Sequence, residues 1–175
     1  MTRDELQAEL EREHPDAFAW ALRCAGGGRE EAEDALHIAY ERILDGRAAF
    51  AGRSSFRTWL FGVIRRTALE ERRRGWLRLD RLRRWFGGAP PADPEGAGRC
   101  GAGAELERRE TARRLGEAIG SLSERQRQMM HLVFYQDLSV QEAADVLGVP
   151  VGTARTHYQR GKARLRALLA GEDLR

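Results

Sequence analysis

Ser139-Val140-Gln141-Glu142-Ala143-Ala144-Asp145-Val146-Leu147-Gly148-Val149-Pro150-Val151-Gly152-Thr153-Ala154-Arg155-Thr156-His157-Tyr158-Gln159-Arg160 is the stretch that decides the fold. Ser139 followed three residues later by Glu142 spells a reciprocal capping box, which opens a helix. Ala143, Ala144, Val146 and Leu147 give that helix a packing face, and Gly148-Val149-Pro150 ends it in a tight turn. Pro150 is expected at the first position of the next helix, where a missing N–H costs nothing. That helix runs to about Ala170 and carries Ala154, Tyr158, Gly161, Leu165, Leu168 and Leu169 at helical spacing. A short capped helix, a turn and a longer basic helix describe a helix-turn-helix.

The second helix of such a unit lies in the DNA major groove, with its N-terminal part against base edges. Thr153, Arg155, Thr156, Gln159 and Arg160 occupy that part. Arginine forks onto guanine, glutamine pairs with adenine, and threonine meets a thymine methyl or a phosphate. Lys162, Arg164 and Arg166 are placed for phosphates, which supply affinity without sequence information. His157 lies on the same helix. The plainer reading is a helical hairpin with a basic outer face.

Upstream, Ser123 caps a helix carrying Met129, Met130, Leu132, Val133 and Phe134. An amphipathic helix from near Glu105 uses Leu106, Leu115, Ala118 and Ile119, and it opens the domain 105–175. Before it, residues 87–103 are rich in glycine and proline, preceded by the basic Leu/Trp stretch Trp76–Phe86. No packed element tolerates that composition, so residues 76–104 are expected to be a flexible linker.

Residues 1–75 read as one helical bundle. Leu6, Leu10, Ala17, Phe18, Ala21, Leu22 and Ala25 recur at helical spacing; Pro15 is expected to break or restart the helix, and Gly26-Gly27-Gly28 ends it. A second helix, from about Glu30 to Leu44, buries Ala32, Ala35, Leu36, Ala39, Tyr40, Ile43 and Leu44, and its acidic first turn suits the positive end of the helix dipole. After a loop containing Phe50 and Arg53, Ser55 caps a third helix ending near Arg74. Phe56, Trp59, Leu60, Val63, Ile64 and Thr67 form its inward stripe; Arg57, Thr58, Arg65 and Arg66 face outward. The expected fold is all-α, two small helical domains with the helix-turn-helix in the second.

The net charge is only +3, but it is unevenly placed. Residues 1–45 carry 5 arginines against 12 acids, residues 46–90 carry 12 arginines against 3 acids, and residues 146–170 carry 5 basic residues and no acid. An acidic front and two separated basic blocks suit one protein partner and two polyanion contacts; each block alone also reads as a solvated helix face. No apolar run is long enough to span a membrane, and the acidic N-terminus is no secretory signal, so direct membrane insertion is not expected and the expected location is cytoplasmic. Cys24 and Cys100 have no partner at metal spacing, and His14, His37, His131 and His157 share no spacing with acids or cysteines that suggests a metal or a triad. Neither metal, cofactor, small-molecule substrate nor catalysis is expected.

Three runs then point to a family. Leu122-Ser123-Glu124-Arg125-Gln126-Arg127, Leu138 to Ala144, and Leu147 to Arg155 resemble the promoter-reading C-terminal domain of bacterial sigma factors, above all the extracytoplasmic-function group. Response-regulator output domains share a similar run. The N-terminal half narrows the choice: Ala32-Glu33-Asp34-Ala35 resembles the polymerase-binding segment, and Phe50-Ala51-Gly52-Arg53-Ser54-Ser55-Phe56-Arg57-Thr58-Trp59-Leu60-Phe61 the promoter-melting segment. His37-Ile38 stands where the family usually has Gln-Glu, Arg66 where Asn is common, and Glu70 where Asp is usual.

The resemblance implies an alternative sigma factor that binds RNA polymerase core, at the clamp of the beta-prime subunit and the flap of the beta subunit. Glu33, Asp34, His37 and Glu41 would meet the clamp. Phe50, Arg53, Ser54, Ser55, Arg57, Phe61, Arg65 and Arg66 would read the −10 element, with Phe50 and Phe61 the freer aromatics. Thr153, Arg155, Thr156, Gln159, Arg160, Lys162 and Arg164 would read the −35 element. It also implies an anti-sigma factor. The alternative is a free-standing helix-turn-helix regulator that binds a symmetric operator without polymerase.

Overall fold

Capping residues delimit most of the elements. The computed structural model describes residues 2–86 and 115–170, and among them there are helices and turns but no strand. They belong to two compact units, Met1–Gly96 and Ala97–Arg175, each described by itself.

In the first unit, Thr2 opens α1, Arg3–Ala25, through a capping box with Glu5. The helix runs unbroken through Pro15, against expectation. Pro15 is exposed, while Leu10, Ala17, Trp20, Ala21 and Cys24 bury the opposite side; packing on both sides of the proline outweighs the one lost backbone bond. Gly26, at φ 85°, closes the helix in the left-handed conformation that glycine adopts without strain. α2, Arg29–Leu44, buries Ala32, Ala35, Leu36, Ala39 and Ile43. Four small alanine faces on these two helices, Ala17, Ala21, Ala35 and Ala39, let the backbones approach closely. Leu44, expected inside, is exposed.

α3 spans Phe56–Phe86, far past the end expected near Arg74. Trp76–Phe86 is therefore helix rather than linker; Gly75 is tolerated because a single glycine costs only about 1 kcal/mol inside a helix otherwise rich in Leu and Arg. The rest of the expected linker, residues 87–104, and Leu106 lie outside the described residues. Leu60, Phe61, Val63, Ile64 and Ala68 complete the core. Polar ties fix α3 to its neighbours. Arg42 Nη2 pairs with Glu70 Oε2 at 2.7 Å and its Nη1 donates to Thr67 Oγ1 at 3.2 Å, while Arg72 Nη1 donates to the Cys24 carbonyl at 3.3 Å. That carbonyl belongs to the last turn of α1, where intrahelical donors run out.

In the second unit, residues 115–120 form α4. Ser123 caps α5, Glu124–Met130, in a box with Gln126. A single wide π turn, His131–Tyr135, follows, with Gln136 N donating to the His131 carbonyl at 3.1 Å. The extra residue shifts the helical phase: Leu132 and Leu138 both reach the core, and Phe134, expected to pack, is 58% exposed. α6, Val140–Leu147, begins at the Ser139–Glu142 capping box and ends at Gly148, φ 62°. α7 is Val151–Ala170. Pro150 sits one position before it rather than inside it, because its carbonyl accepts the first helical bond, from Ala154 N at 3.0 Å.

Candidate nucleic-acid interface

α6 and α7 meet through fully buried Ala143, Ala144 and Ala154, with Val146 and Leu147 beneath the turn. Ala154 fixes which side of α7 faces inward, so its other side is left to solvent. Thr153, Arg155, Thr156, Gln159, Arg160 and Arg164 are all exposed, with Lys162 half-buried. Thr156 Oγ1 donates to the Gly152 carbonyl at 2.9 Å. Lys162 Nζ lies over the Tyr158 ring, 5.7 Å from its centre, and Tyr158 stacks on Phe134 of the π turn at 5.8 Å. Farther along, Arg164 Nε donates to Ser121 Oγ at 3.3 Å. The first three turns of α7 thus present a glutamine, threonines and forked cations together, the donor and acceptor set that reads base edges.

The first unit presents a different surface. Ser55 Oγ accepts from Thr58 N at 3.1 Å, capping α3. Beside this cap Phe50, Phe56 and Trp59 form a closed triangle with ring centres 5.3 to 5.6 Å apart, and all three are half-exposed. Around it lie exposed Arg53 and Ser55, and half-buried Ser54, whose Oγ donates to the Ser55 carbonyl at 3.2 Å. Two turns beyond Trp59, exposed Arg66 folds its Nε back to the Gly62 carbonyl at 3.2 Å. A half-exposed aromatic platform, preceded by a loop that carries exposed Arg53, suits unpaired nucleic acid, whose bases stack on rings while the backbone meets charge.

On α2, Glu33, Asp34, His37 and Glu41 are exposed. Arg29 Nε pairs with Glu33 Oε1 at 2.7 Å, and His37 Nε2 lies 3.5 Å from Glu41 Oε1. Between α1 and α2 runs an open groove of about 390 Å³, lined by residues that include His14, Phe18, Leu36, His37 and Tyr40. Burial, and secondarily the charge of Glu13, push the Tyr40 hydroxyl up to about 12. His14 Nδ1 lies 3.2 Å from that hydroxyl. Among the described residues no group of three or more His, Cys, Asp or Glu is placed to hold a metal ion.

Residues 10–78 match sigma-70 region 2, and residues 112–165 match sigma-70 region 4. The chain belongs to the sigma-70 family. Its extracytoplasmic-function branch supplies the similar curated proteins. The chain is 28% identical over 93% of its length to the ECF RNA polymerase sigma factor SigE of Mycolicibacterium smegmatis, covering 61% of that protein. It is 33% identical over 65% of its length to the ECF RNA polymerase sigma factor RpoE of Cereibacter sphaeroides, covering 58% of it. It therefore spans about three fifths of the length of the curated relatives it matches. Among solved structures, the sigma factor RpoE in complex with the anti-sigma factor NepR from Bartonella quintana is similar at a TM-score of 0.70 and 21% identity, over 96% of this chain and 98% of that one. CnrH in complex with the cytosolic domain of CnrY is similar at 0.57 and 24%, over 94% and 88%. These likenesses are of fold.

Within this sigma-70 frame, several residues first assigned to the −10 surface move. Phe61 has no exposed surface: it stacks on Trp20 inside the bundle and cannot meet a base. Arg65 is 7% exposed and Thr58 2%, so neither belongs to an outward face. The cause is that α1 and α2 both cover α3, and the buried arc is wider than one stripe. Conversely Phe56 and Trp59, which the apolar period assigns to the core, stand at the rim of the bundle with Phe50. The clue in the sequence is their place in the first turn, next to a loop that carries a third aromatic, Phe50.

Proposed function

We propose that this chain is an alternative sigma factor of the extracytoplasmic-function group, which binds RNA polymerase core and directs initiation at promoters carrying −10 and −35 elements. The observation that carries this reading is the pairing, in one chain, of an exposed polar and cationic helix-turn-helix face with a half-exposed aromatic triangle beside an arginine-bearing loop. One suits duplex DNA and the other an unstacked strand.

In this reading Thr153, Arg155, Thr156, Gln159 and Arg160 read the −35 element from the major groove, and Lys162 and Arg164 hold its phosphates. Phe50, with Phe56 and Trp59, takes an unstacked base of the −10 element; Arg53, Ser54, Ser55 and Arg66 line its path. Glu33, Asp34, His37 and Glu41 meet the polymerase clamp, and the flap of the beta subunit meets the C-terminal unit. With His37-Ile38 where the resemblance implies Gln-Glu, this docking face has one acid fewer than expected.

Of the similar solved structures, one holds the sigma factor RpoE with the anti-sigma factor NepR and another holds CnrH with the cytosolic domain of CnrY. We infer an anti-sigma partner here too. Among the described residues no helix is long and apolar enough to cross a membrane. We place the protein in the cytoplasm, as a regulator without catalytic chemistry of its own. Run-off transcription with purified polymerase core tests the reading: specific transcripts appear only when the chain is added. A chain that shows no affinity for polymerase core refutes it, and binding to a symmetric operator without polymerase returns the free-standing regulator.

A further inference from the structure

Arg57 lies at the lip of the aromatic triangle, next to Phe56 and two residues before Trp59, but its guanidinium is turned into the bundle. Its Nη2 donates to Asp16 Oδ2, its Nε lies 3.5 Å from Glu13 Oε2, and its plane lies 5.5 Å from the centre of the Phe61 ring. The Arg57 side chain is 31% exposed and that of Glu13 only 12%. Both carboxylates belong to α1, one helical turn before the buried pair Ala17 and Trp20.

We propose that Arg57 is a positioning residue: it ties the first turn of α3 to Glu13 and Asp16, fixes the attitude of the Phe50–Phe56–Trp59 triangle, and holds no phosphate of the promoter. The proposal rests on the reading that this triangle accepts an unstacked promoter base. Three features support it. A guanidinium that left this seat for a phosphate would exchange one anion for another and leave the part-buried Glu13 with Arg12, whose Nη2 lies 3.4 Å from the Glu13 Oε1, as its remaining cation. The first turn of a helix is held by its cap and little else, and here the cap is the single Ser55 hydroxyl. A planar fork between two carboxylates and a ring fixes rotation as well as distance, which a lysine ammonium does not.

The test uses holoenzyme assembled from polymerase core and full-length chain, on one promoter with a fluorescent adenine analogue in the −10 element. Arg57→Gln, Arg57→Lys and the double variant Glu13→Gln/Asp16→Asn are compared with Arg66→Gln. Two quantities are read: the rate of strand opening, and the slope of promoter affinity against salt. Arg57→Gln and the double variant are expected to slow opening about ten- to a hundredfold, since a misplacement of about 1 Å can cost about a hundredfold. Both should leave the salt slope unchanged, Arg57→Lys should recover only part of the rate, and Arg66→Gln should lower the slope by about 0.7–0.9, one phosphate's worth.

Equal affinity of all variants for polymerase core guards against misfolding; should Arg57→Gln bind core poorly, the double variant, which keeps the arginine, carries the test. The proposal is overturned if Arg57→Gln lowers the salt slope as Arg66→Gln does, or if removing both carboxylates tightens promoter binding with opening intact. It is equally overturned if every Arg57 variant opens the promoter at the wild-type rate. Wild-type holoenzyme that opens no promoter overturns the functional reading itself, and the proposal with it.

Discussion

Trp20 Nε1 donates to the Phe61 carbonyl at 3.0 Å, and the two rings stack with their centres 6.0 Å apart. This one contact joins the C-terminal third of α1 to the second turn of α3 and leaves Phe61 with no exposed surface. Phe61→Ala should therefore cost about 3–5 kcal/mol of stability in urea unfolding, as for other buried aromatics. Phe50→Ala, from the half-exposed triangle, should cost much less stability and slow strand opening instead. Equal losses from the two variants would contradict this division.

Ser139 Oγ accepts from Glu142 N at 3.2 Å, and Glu142 Oε2 accepts from Ser139 N at 2.9 Å. Ser139→Ala removes half of the reciprocal pair at the start of α6. We expect a loss of about 1 kcal/mol, visible as a lower thermal midpoint of the C-terminal unit. Ser139→Asp, which preserves the acceptor, should retain most of the stability.

At Gly161 a β-carbon would stand 3.3 Å from Met130 Cγ and 3.4 Å from its sulfur. α7 crosses α5 here with little room to spare. Gly161→Val should cost about 1–3 kcal/mol through overpacking and weaken binding to −35 duplex. Unfolding followed alongside DNA affinity would tell whether both fall together.

Cations on α7 divide by role. Arg155→Ala or Arg160→Ala should cost about 1–3 kcal/mol at the cognate −35 sequence and relax discrimination at one base position. Lys162→Ala should weaken all sequences alike and lower the salt slope by about 0.9. Affinities measured across a panel of single-base variants at several salt concentrations separate the two patterns.

The hydroxyl of Tyr40, pushed up to about 12 by burial and then by Glu13, ties stability to alkaline pH. Its ordinary value is 10.0, so the folded chain keeps this proton over a range in which the unfolded chain releases it. That contribution is complete below about pH 10 and disappears as pH rises through about 12. Tyr40→Phe should flatten the alkaline limb of the stability curve. Tyrosinate absorbance should rise late for one of the tyrosines.

Local signals account for much of the architecture. The Ser139–Glu142 box, Gly148, the Ser123 and Ser55 caps and the triple glycine after α1 all act over three or four residues, so they could be read from the chain alone. The Thr2–Glu5 box obeys the same rule. On α7, the burial of Ala154 follows the period, and the exposed faces of Arg155, Thr156 and Gln159 follow from it.

Phe56, Trp59, Phe61 and Arg65 mark where that reading stops. All four lie within ten residues of one helix, and a period of 3.6 fixes their angles to each other but not how far neighbouring helices reach around them. Phe61 and Arg65, in the second and third turns of α3, go inside; in its first turn Thr58 is buried and Arg57 is tied to α1, while Phe56 and Trp59 stay at the rim. Pro15 and Gly75 mark a second limit, since each weakens a helix by an amount that packing or neighbouring propensity can exceed. The sequence by itself determined helix type, caps, charge blocks and the helix-turn-helix, because each depends on spacing along a few turns of chain. Tertiary structure alone decided which aromatics face solvent and which arginine is held by carboxylates from another helix, because burial depends on what lies across the contact, and that is set by residues forty positions away.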